Sequence, residues 1–503
     1  MPIVEYAHTE GRAFVAGLSR EEQKESGQFM TPPTIARHMA QRLVVGYDRP
    51  AIRILEPAAG AGILAAAVIE ALLAKPVRPE HVELLLCEQD HRLLPILNEL
   101  ARLAIAECAA AGIHLVVEVQ LGDFLLSQVG LLGQPVDGLL VIANPPFFKL
   151  NKADPRAQAH AYAVHGQPNI YGLFMAACAR LIAPGGRWCF ITPRSWMSGN
   201  YFMAVRKSML LNLSLDCLHT FDSRRESFEE DAVLQETMIT WATGRPQADA
   251  GLNILLTRSA GASDLGTAEV QAIPMERVVS NDEHAMLSLP ADGADPFAGW
   301  TATLSTYGMQ VSTGPVVAFR ATDVIREYKE PGTVPLLWLQ HVGQQCISWP
   351  INKKREHIKA NADSAWMLVR NQPMVVMRRF SPKEDERRVT CAAYGCGLDR
   401  LPGDVIGLEN HLNYIHRPGG QMTPHEARGL SAFLASKVVD DHFRALAGTT
   451  QVNATELRKL PLPPLATLVA IGQALPHKPI LAAIDVEVTR ALGLYRPEVA
   501  AAA

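Results

Sequence analysis

The chain lacks most of the features that would take it out of the ordinary globular class. Nowhere do ~18 apolar residues run together without a charge, proline or polar break, and the first thirty residues hold no apolar core of signal-peptide length. The expectation is therefore a cytoplasmic protein without a membrane partner. Eight cysteines contain no C-x-x-C pair, which fits buried, reduced thiols better than a disulfide framework. One-sided charge is missing as well. The formal net charge is −4 over 503 residues, so a nucleic-acid partner has to be met by a local patch. There is no internal repeat. Cys391, Cys396, His411 and His416 form a loose set of zinc-type ligands, but neither pair has the tight spacing of zinc fingers. Packing and hydrogen bonding are their expected roles, and no metal is expected.

What the chain does have is a regular alternation. From Ile52 to about Thr243, short apolar runs alternate with segments of helical period, the pattern of βαβ units around a largely parallel sheet. Expected strands are 52–58, 82–88, 113–119, 138–144 and 187–193, with helices over 62–74, 91–111 and 171–183. "LSLDCLHTF" and "AVLQETMITWA" are expected to pair antiparallel at the end of the sheet. The fold class is thus α/β, a doubly wound Rossmann-like sheet over residues 1–250. Residues 251–300, rich in Gly, Ala, Pro and Asp around one strand candidate, "LNILLTR", read as a connecting segment. A mixed α+β domain follows over 301–503, made of short β-like runs, then helical segments at about 424–447 and 464–492.

Chemistry gathers at the strand ends. The first strand runs into "LEPAAGAG", a carboxylate followed by small residues that let the backbone approach a ligand. Glu88 and Asp90 close the second strand, where an acid commonly takes ribose hydroxyls, and Asp123 follows the third. Parallel strands bring three such ends to one crevice. The first turn lacks the G-x-G-x-x-G order that seats a pyrophosphate, so the crevice suits a neutral or cationic ligand, such as S-adenosylmethionine.

The fourth strand ends in "NPPFF". An exocyclic amine on a base is a poor nucleophile because its lone pair is delocalised into the ring. Two acceptors that hydrogen-bond its two protons pull the nitrogen toward sp³ geometry and free that pair. Asn144 Oδ1 and the Pro145 carbonyl suit this role, since Pro145 and Pro146 fix φ and donate no competing hydrogen bond. Phe147 offers a ring on which a base can stack, worth ~1–3 kcal/mol. The motif reads as a clamp for a flat ring carrying an amino group.

In order, "GQFMTPP", "LEPAAGAG", "CEQD", "GDFL", "NPPF", "PNIYGLF" and "APGGRWCFITPRSW" closely resemble the gamma-type adenine-N6 DNA methyltransferases of type II restriction-modification systems. The resemblance covers roughly residues 20–243 and continues more loosely beyond. It implies a seven-stranded methyltransferase sheet, S-adenosylmethionine as cofactor and a C-terminal target-recognition domain. Thr31 matches the contact to the methionine carboxylate; Glu56, Pro57, Ala58 and Gly60 match the methionine and sugar floor. Glu88 matches the ribose ligand, while Asp123 and Phe124 match the contact to the cofactor adenine. Asn144, Pro145, Pro146 and Phe147 match the catalytic motif, with Asn144 also beside the cofactor, and Asn169 and Tyr171 match the lining of the target-base pocket. Phe228 fits the second stacking ring, with Phe221 as the alternative. At position 147 tyrosine is common in the family; phenylalanine keeps the stacking and loses the hydroxyl.

From 352 to 388 there are ten Lys or Arg against five acids. Lys353, Arg355, Arg378 and Arg379 are the expected contacts to duplex DNA, with Lys354, Arg387 and Arg388 in the same patch. The alternative is a solvated face. The partner set implied by the resemblance is double-stranded DNA and a separate cognate endonuclease that forms no stable complex, with the chain acting as a monomer. Rival readings are a methyltransferase for protein glutamine, a DNA-binding protein that retains the fold without chemistry, and a fused methyltransferase-endonuclease. The large basic C-terminal part argues against the first, intact Asn144 against the second, and the short stretch before "GQFMTPP" against the third.

Overall fold

In a computed structural model, the structure describes residues 1–19, 22, 30–127, 134–221, 237–245, 253–289, 296–297, 299–352, 355–380, 385–397, 400–446 and 454–494. The chain divides into two compact units, Met1–Leu289 and Pro290–Ala503. Among the described residues no helix is long and apolar enough to cross a membrane.

The first unit is built on one sheet. Its strands are β1 (Ala51–Glu56), β2 (His81–Glu88), β3 (His114–Leu121), β4 (Leu139–Ala143), β5 (Arg187–Pro193), β6 (Leu213–Phe221), β7 (Thr237–Gly244), β8 (Asn253–Ser259) and β9 (Glu269–Pro274). They lie in the order β3-β2-β1-β4-β5-β7-β6-β8-β9. β1 to β5 pair parallel, while β7 runs antiparallel to both β5 and β6. The expected seven strands are present, and the expectation fails only at the far edge. β8 pairs parallel with β6, and β9 pairs antiparallel with β8. The described sheet thus has nine strands rather than seven, and much of the segment expected to connect two domains is part of it. Its turn-rich composition hid one strand, since the outer strand β9 is mostly exposed and carries little apolar signal.

Alternation along the strands divides the core. Ile54 and Ile142 face one cluster, with helices α1 (Ile3–Ala16), α2 (Pro33–Val44), α3 (Ile63–Leu73) and α4 (Leu94–Ala110). Leu55, Val141 and Ala143 face the other, with α5 (Ile170–Leu181) and α6 (Met203–Asn212). β4 is buried along its whole length, as a central parallel strand covered on both faces must be. Sheet order reverses between β1 and β4, whose next connections run in opposite directions. In an open α/β sheet this switch point leaves a crevice at the carboxyl ends of the strands.

The second unit is made of small sheets and helices. Gln310–Thr313, Leu412–His416, Met374–Arg378 and Cys391–Tyr394 form a four-stranded sheet in that order, and five further short strands, among them Thr333–Leu337 and Val405–Leu408, form another. The expected helix at 424–447 is two, α7 (Pro424–Ala435) and α8 (Lys437–Leu446), and that at 464–492 is also two, α9 (Leu465–Ala474) and α10 (Leu481–Ala491). Pro476 and Pro479 account for the second break, because proline removes a helical donor and biases its predecessor to extended backbone. Thr423 and Glu426 form a capping box at the start of α7. α7 and α9 cross backbone to backbone: a Cβ at Gly429 would lie 1.7 Å from the Leu468 carbonyl oxygen, and one at Gly472 2.1 Å from that of His425. Cys391 contacts Ser431, while His411 and His416 reach Glu409 and Ser312.

Candidate active site

The crevice at the switch point is a cleft with about 770 Å³ of open space, lined by Thr31, Glu56, Pro57, Ala58, Gly60, Glu88, Asp123, Phe124, Asn144 and Pro146 among others. Residues from six separate stretches of sequence therefore meet where the strand ends meet.

The turn after β1 is shaped by its glycines. Gly62 takes φ +80° as the residue before α3, where a Cβ would press on Leu100 at 2.4 Å. Gly60 takes φ +54° with open space where a side chain would project, which leaves the cleft floor bare. Two carboxyls hold this turn. Glu56 is buried at the end of β1, with Oε2 accepting from the Ala65 amide at 2.9 Å. Glu88 accepts from Gly60 at 2.7 Å through Oε2 and from Gln89 and Asp90, each at 2.8 Å, through Oε1. Burial pushes both carboxyls above the ordinary glutamate range, well above it for Glu56, against the opposing pull of those amides. A cation entering the cleft would favour the ionised forms.

Asp123 follows β3, where it accepts from the Leu125 amide at 2.9 Å. Phe124 stacks on Phe174 with centroids 5.7 Å apart and planes 15° apart, an apolar wall. Phe174 was not anticipated; its spacing of four from Ile170 on α5 puts both on one helical face, which was the available signal. Arg156 was also missed. Its guanidinium pairs with Asp154 at 2.8 Å, lies 3.7 Å from Asp123 and sits 5.9 Å from the Phe148 ring centre. It thereby ties the segment after β3 to the loop after β4.

That loop carries Asn144 half-buried and Pro145 buried. The Asn144 Nδ2 donates to the Thr31 hydroxyl at 3.0 Å. The loop is clamped to the segment entering α5: Leu150 N donates to the Pro168 carbonyl at 2.9 Å and Ile170 N to that of Phe148 at 3.0 Å. Asn169 lies in this clamp, with Oδ1 buried and without a hydrogen-bond partner among the described residues. Tyr171 is placed differently from the expectation. It is 1% exposed, its hydroxyl shares a 2.6 Å hydrogen bond with Ser195, and its ring meets the half-buried Phe147 edge-on at 6.0 Å. It buttresses Phe147 from behind, because the apolar face of α5 turns it into the core.

Of the two candidates for a second ring, Phe228 lies outside the described residues. Phe221 ends β6 buried in the cluster on the α1 to α4 side, edge-on to His219, whereas Phe147 packs against the opposite cluster. The two rings therefore belong to the cores on opposite faces of the sheet.

In the second unit the basic stretch is divided in its uses. Arg355 is exposed, and Arg379 is half-buried with its guanidinium 5.9 Å from the Phe380 ring centre. Arg378 donates through Nε to the Val342 carbonyl at 2.6 Å. Arg387 pairs with Asp485 at 2.5 Å, and Arg388 is 3% exposed, so neither belongs to an open patch. Lys353 and Lys354 lie outside the described residues.

Comparison with known proteins gives the family. The Eco57I restriction-modification methylase family model matches residues 140–228. The type II methyltransferase M.BsuBI of Bacillus subtilis is 30% identical over 469 residues, 90% of this chain and 90% of its own. The type II methyltransferase M.PstI of Providencia stuartii is 34% identical over 332 residues, 64% of each chain. Among solved structures, a DrdV–DNA complex aligns over 92% of this chain and 58% of its own, at 14% identity and a TM-score of 0.49. With such identity sustained over nine-tenths of its length, the chain belongs to the type II restriction-modification methyltransferases.

Proposed function

We propose that the chain transfers a methyl group from S-adenosylmethionine to the exocyclic N6 of an adenine rotated out of duplex DNA. The observation that carries this reading is the placement of Asn144. Its amide stands at the end of β4, in the same cleft as Glu56, Glu88 and Asp123, and a hydrogen bond from Nδ2 fixes its orientation.

The cleft fits the cofactor by its donor set. Glu88 suits ribose hydroxyls and Phe124 with Phe174 suits an adenine face. The bare floor at Gly60 and the Thr31 hydroxyl suit the amino-acid end. Two buried carboxyls without a phosphate cradle match a ligand that carries positive charge. When bound, S-adenosylmethionine supplies a methyl carbon made electrophilic by its sulfonium.

The chain's own residues act on the base. Asn144 Oδ1 and the Pro145 carbonyl accept the two amino protons and free the nitrogen lone pair, with Pro146 restricting the carbonyl by its neighbouring ring. Phe147, braced by Tyr171, offers a stacking face that offsets the few kcal/mol of rotating a base out of the duplex. Asn169, in the segment clamped to the loop after β4, is assigned to the target-base pocket. The methylated nitrogen is acidic enough to release its proton to water, so no strong base is required. The second unit is assigned to target recognition, with Arg355 and Arg379 assigned to phosphates or guanine edges.

The test is incubation with tritiated S-adenosylmethionine and unmodified duplex DNA, followed by nucleoside analysis. Label in N6-methyladenine is expected. Label in another base, or only in protein, overturns the assignment.

A further inference from the structure

Thr31 stands just before two prolines and α2. A residue before proline is held to extended backbone, and Pro32 and Pro33 have fixed φ of their own, so the position of Thr31 is rigidly set. Its side chain is 2% exposed and lines the cleft. The hydroxyl accepts from Asn144 Nδ2 at 3.0 Å, across 113 residues of sequence. A hydroxyl carries one proton as well as lone pairs, and no acceptor for the Thr31 proton is found among the described residues. It accepts from the catalytic amide and has the capacity to donate one hydrogen bond of its own.

We infer that Thr31 is a positioning residue which decides which end of the Asn144 amide faces the base. An asparagine amide has a donor end and an acceptor end of nearly equal size, and packing alone distinguishes them poorly. With Nδ2 tied to Thr31, Oδ1 must point away from it and is presented as an acceptor. With no oxygen at position 31 that preference is lost, and in the flipped amide an NH2 meets the amino group it is meant to accept from. A hydroxyl with its proton unclaimed can serve either end of an amide, whereas an acceptor in the cleft that takes the Thr31 proton leaves only lone pairs toward Asn144, so it is in the filled cleft that Nδ2 must face Thr31. The inference rests on the methyltransferase reading above and assigns Thr31 a task beyond holding a ligand.

The test compares wild type with Thr31→Val and Thr31→Ser in single-turnover transfer from tritiated S-adenosylmethionine to duplex DNA, with both substrates saturating. Saturation removes any weakening of cofactor binding. Removing the hydroxyl is expected to slow the saturated rate by about ten- to a hundredfold, while serine stays within about threefold of wild type. A valine variant that only raises the cofactor KM, at an unchanged saturated rate, overturns the inference, as does a serine variant as slow as valine. If valine at a buried site prevents folding, as judged by melting temperature, Thr31→Ala takes its place with the same expected rates. Absence of methylated adenine from the wild-type reaction would instead refute the proposed function.

Discussion

The two units turn sequence proximity into space in opposite ways. In Met1–Leu289, Thr31, Glu56, Glu88, Asp123 and Asn144 are far apart along the chain and line one cleft. In Pro290–Ala503, Arg378, Arg379, Arg387 and Arg388 are close along the chain, yet they have different environments: Arg387 pairs with Asp485, Arg388 is buried and Arg378 binds a carbonyl. A parallel sheet sends all its strand ends to one edge, so residues at equivalent places in successive units must converge. Short strands joined by irregular segments impose no such convergence, and each arginine takes the partner its own surroundings offer. A motif order in a βαβ unit is thus a statement about space; a charge count in a mixed domain is not.

Four measurements sharpen or break that contrast. The largest effect is expected at the convergence point. Asn144→Ala should lower the saturated methylation rate on the order of 10³-fold, as loss of a group aimed at the reacting atom does, while calorimetry finds S-adenosylhomocysteine bound with an affinity within a few-fold of wild type. Equal loss of rate and affinity would remove Asn144 from the catalytic role.

In the second unit the corresponding large effect is structural. Gly429→Val puts a side chain where the Leu468 carbonyl stands and should cost about 3 kcal/mol or more, read as faster amide hydrogen exchange in α7 and α9. Faster exchange spread equally over β1 to β5 would mean that the two units do not unfold separately.

Next comes the acid pair. Burial raises the Glu88 carboxyl above the ordinary glutamate value, ~4.3 in model peptides. A protonated carboxyl has lost an acceptor, so cofactor affinity should be full at high pH. It should begin to fall, as pH is lowered, above the range of an unperturbed glutamate. Glu88→Gln should bind roughly tenfold more weakly with a flat pH profile over the same range. A pH-dependent Gln variant would assign the titration to Glu56 or another group.

The smallest effects concern single cations. Arg355→Ala and Arg379→Ala are each expected to weaken duplex binding a few-fold and to reduce the slope of log affinity against log salt by about one. Arg387→Ala should lower the melting temperature instead, through loss of the Asp485 pair. An Arg387 variant that binds DNA less tightly at unchanged stability would restore the single basic patch read from the chain.

Much of the first unit was legible because its signals are local. β5 falls where the apolar run placed it, and β1 to β4 differ by only one or two residues at their ends. The carboxyls at the strand ends were legible for the same reason: each follows its own apolar run. Tyr171 was not, since whether an aromatic on α5 lines a pocket or buttresses Phe147 depends on a rotation about the helix that the "PNIY" spelling does not record. Phe221 fails as a second ring on a similar ground, because a bulge between Leu215 and Cys217 sets which face the end of β6 presents. β9 was missed because an edge strand with mostly exposed side chains has almost no hydrophobic period.

By itself the sequence determined the doubly wound sheet, the cleft at its carboxyl edge and the asparagine-proline turn that enters it, since hydrophobic period, glycine conformation and proline geometry are properties of short segments. Only the tertiary structure decided that Thr31 grips the Asn144 amide, that Phe174 walls the cleft and that Arg387 and Arg388 turn inward. Those facts depend on contacts between segments tens to hundreds of residues apart, and packing alone chooses the partner there.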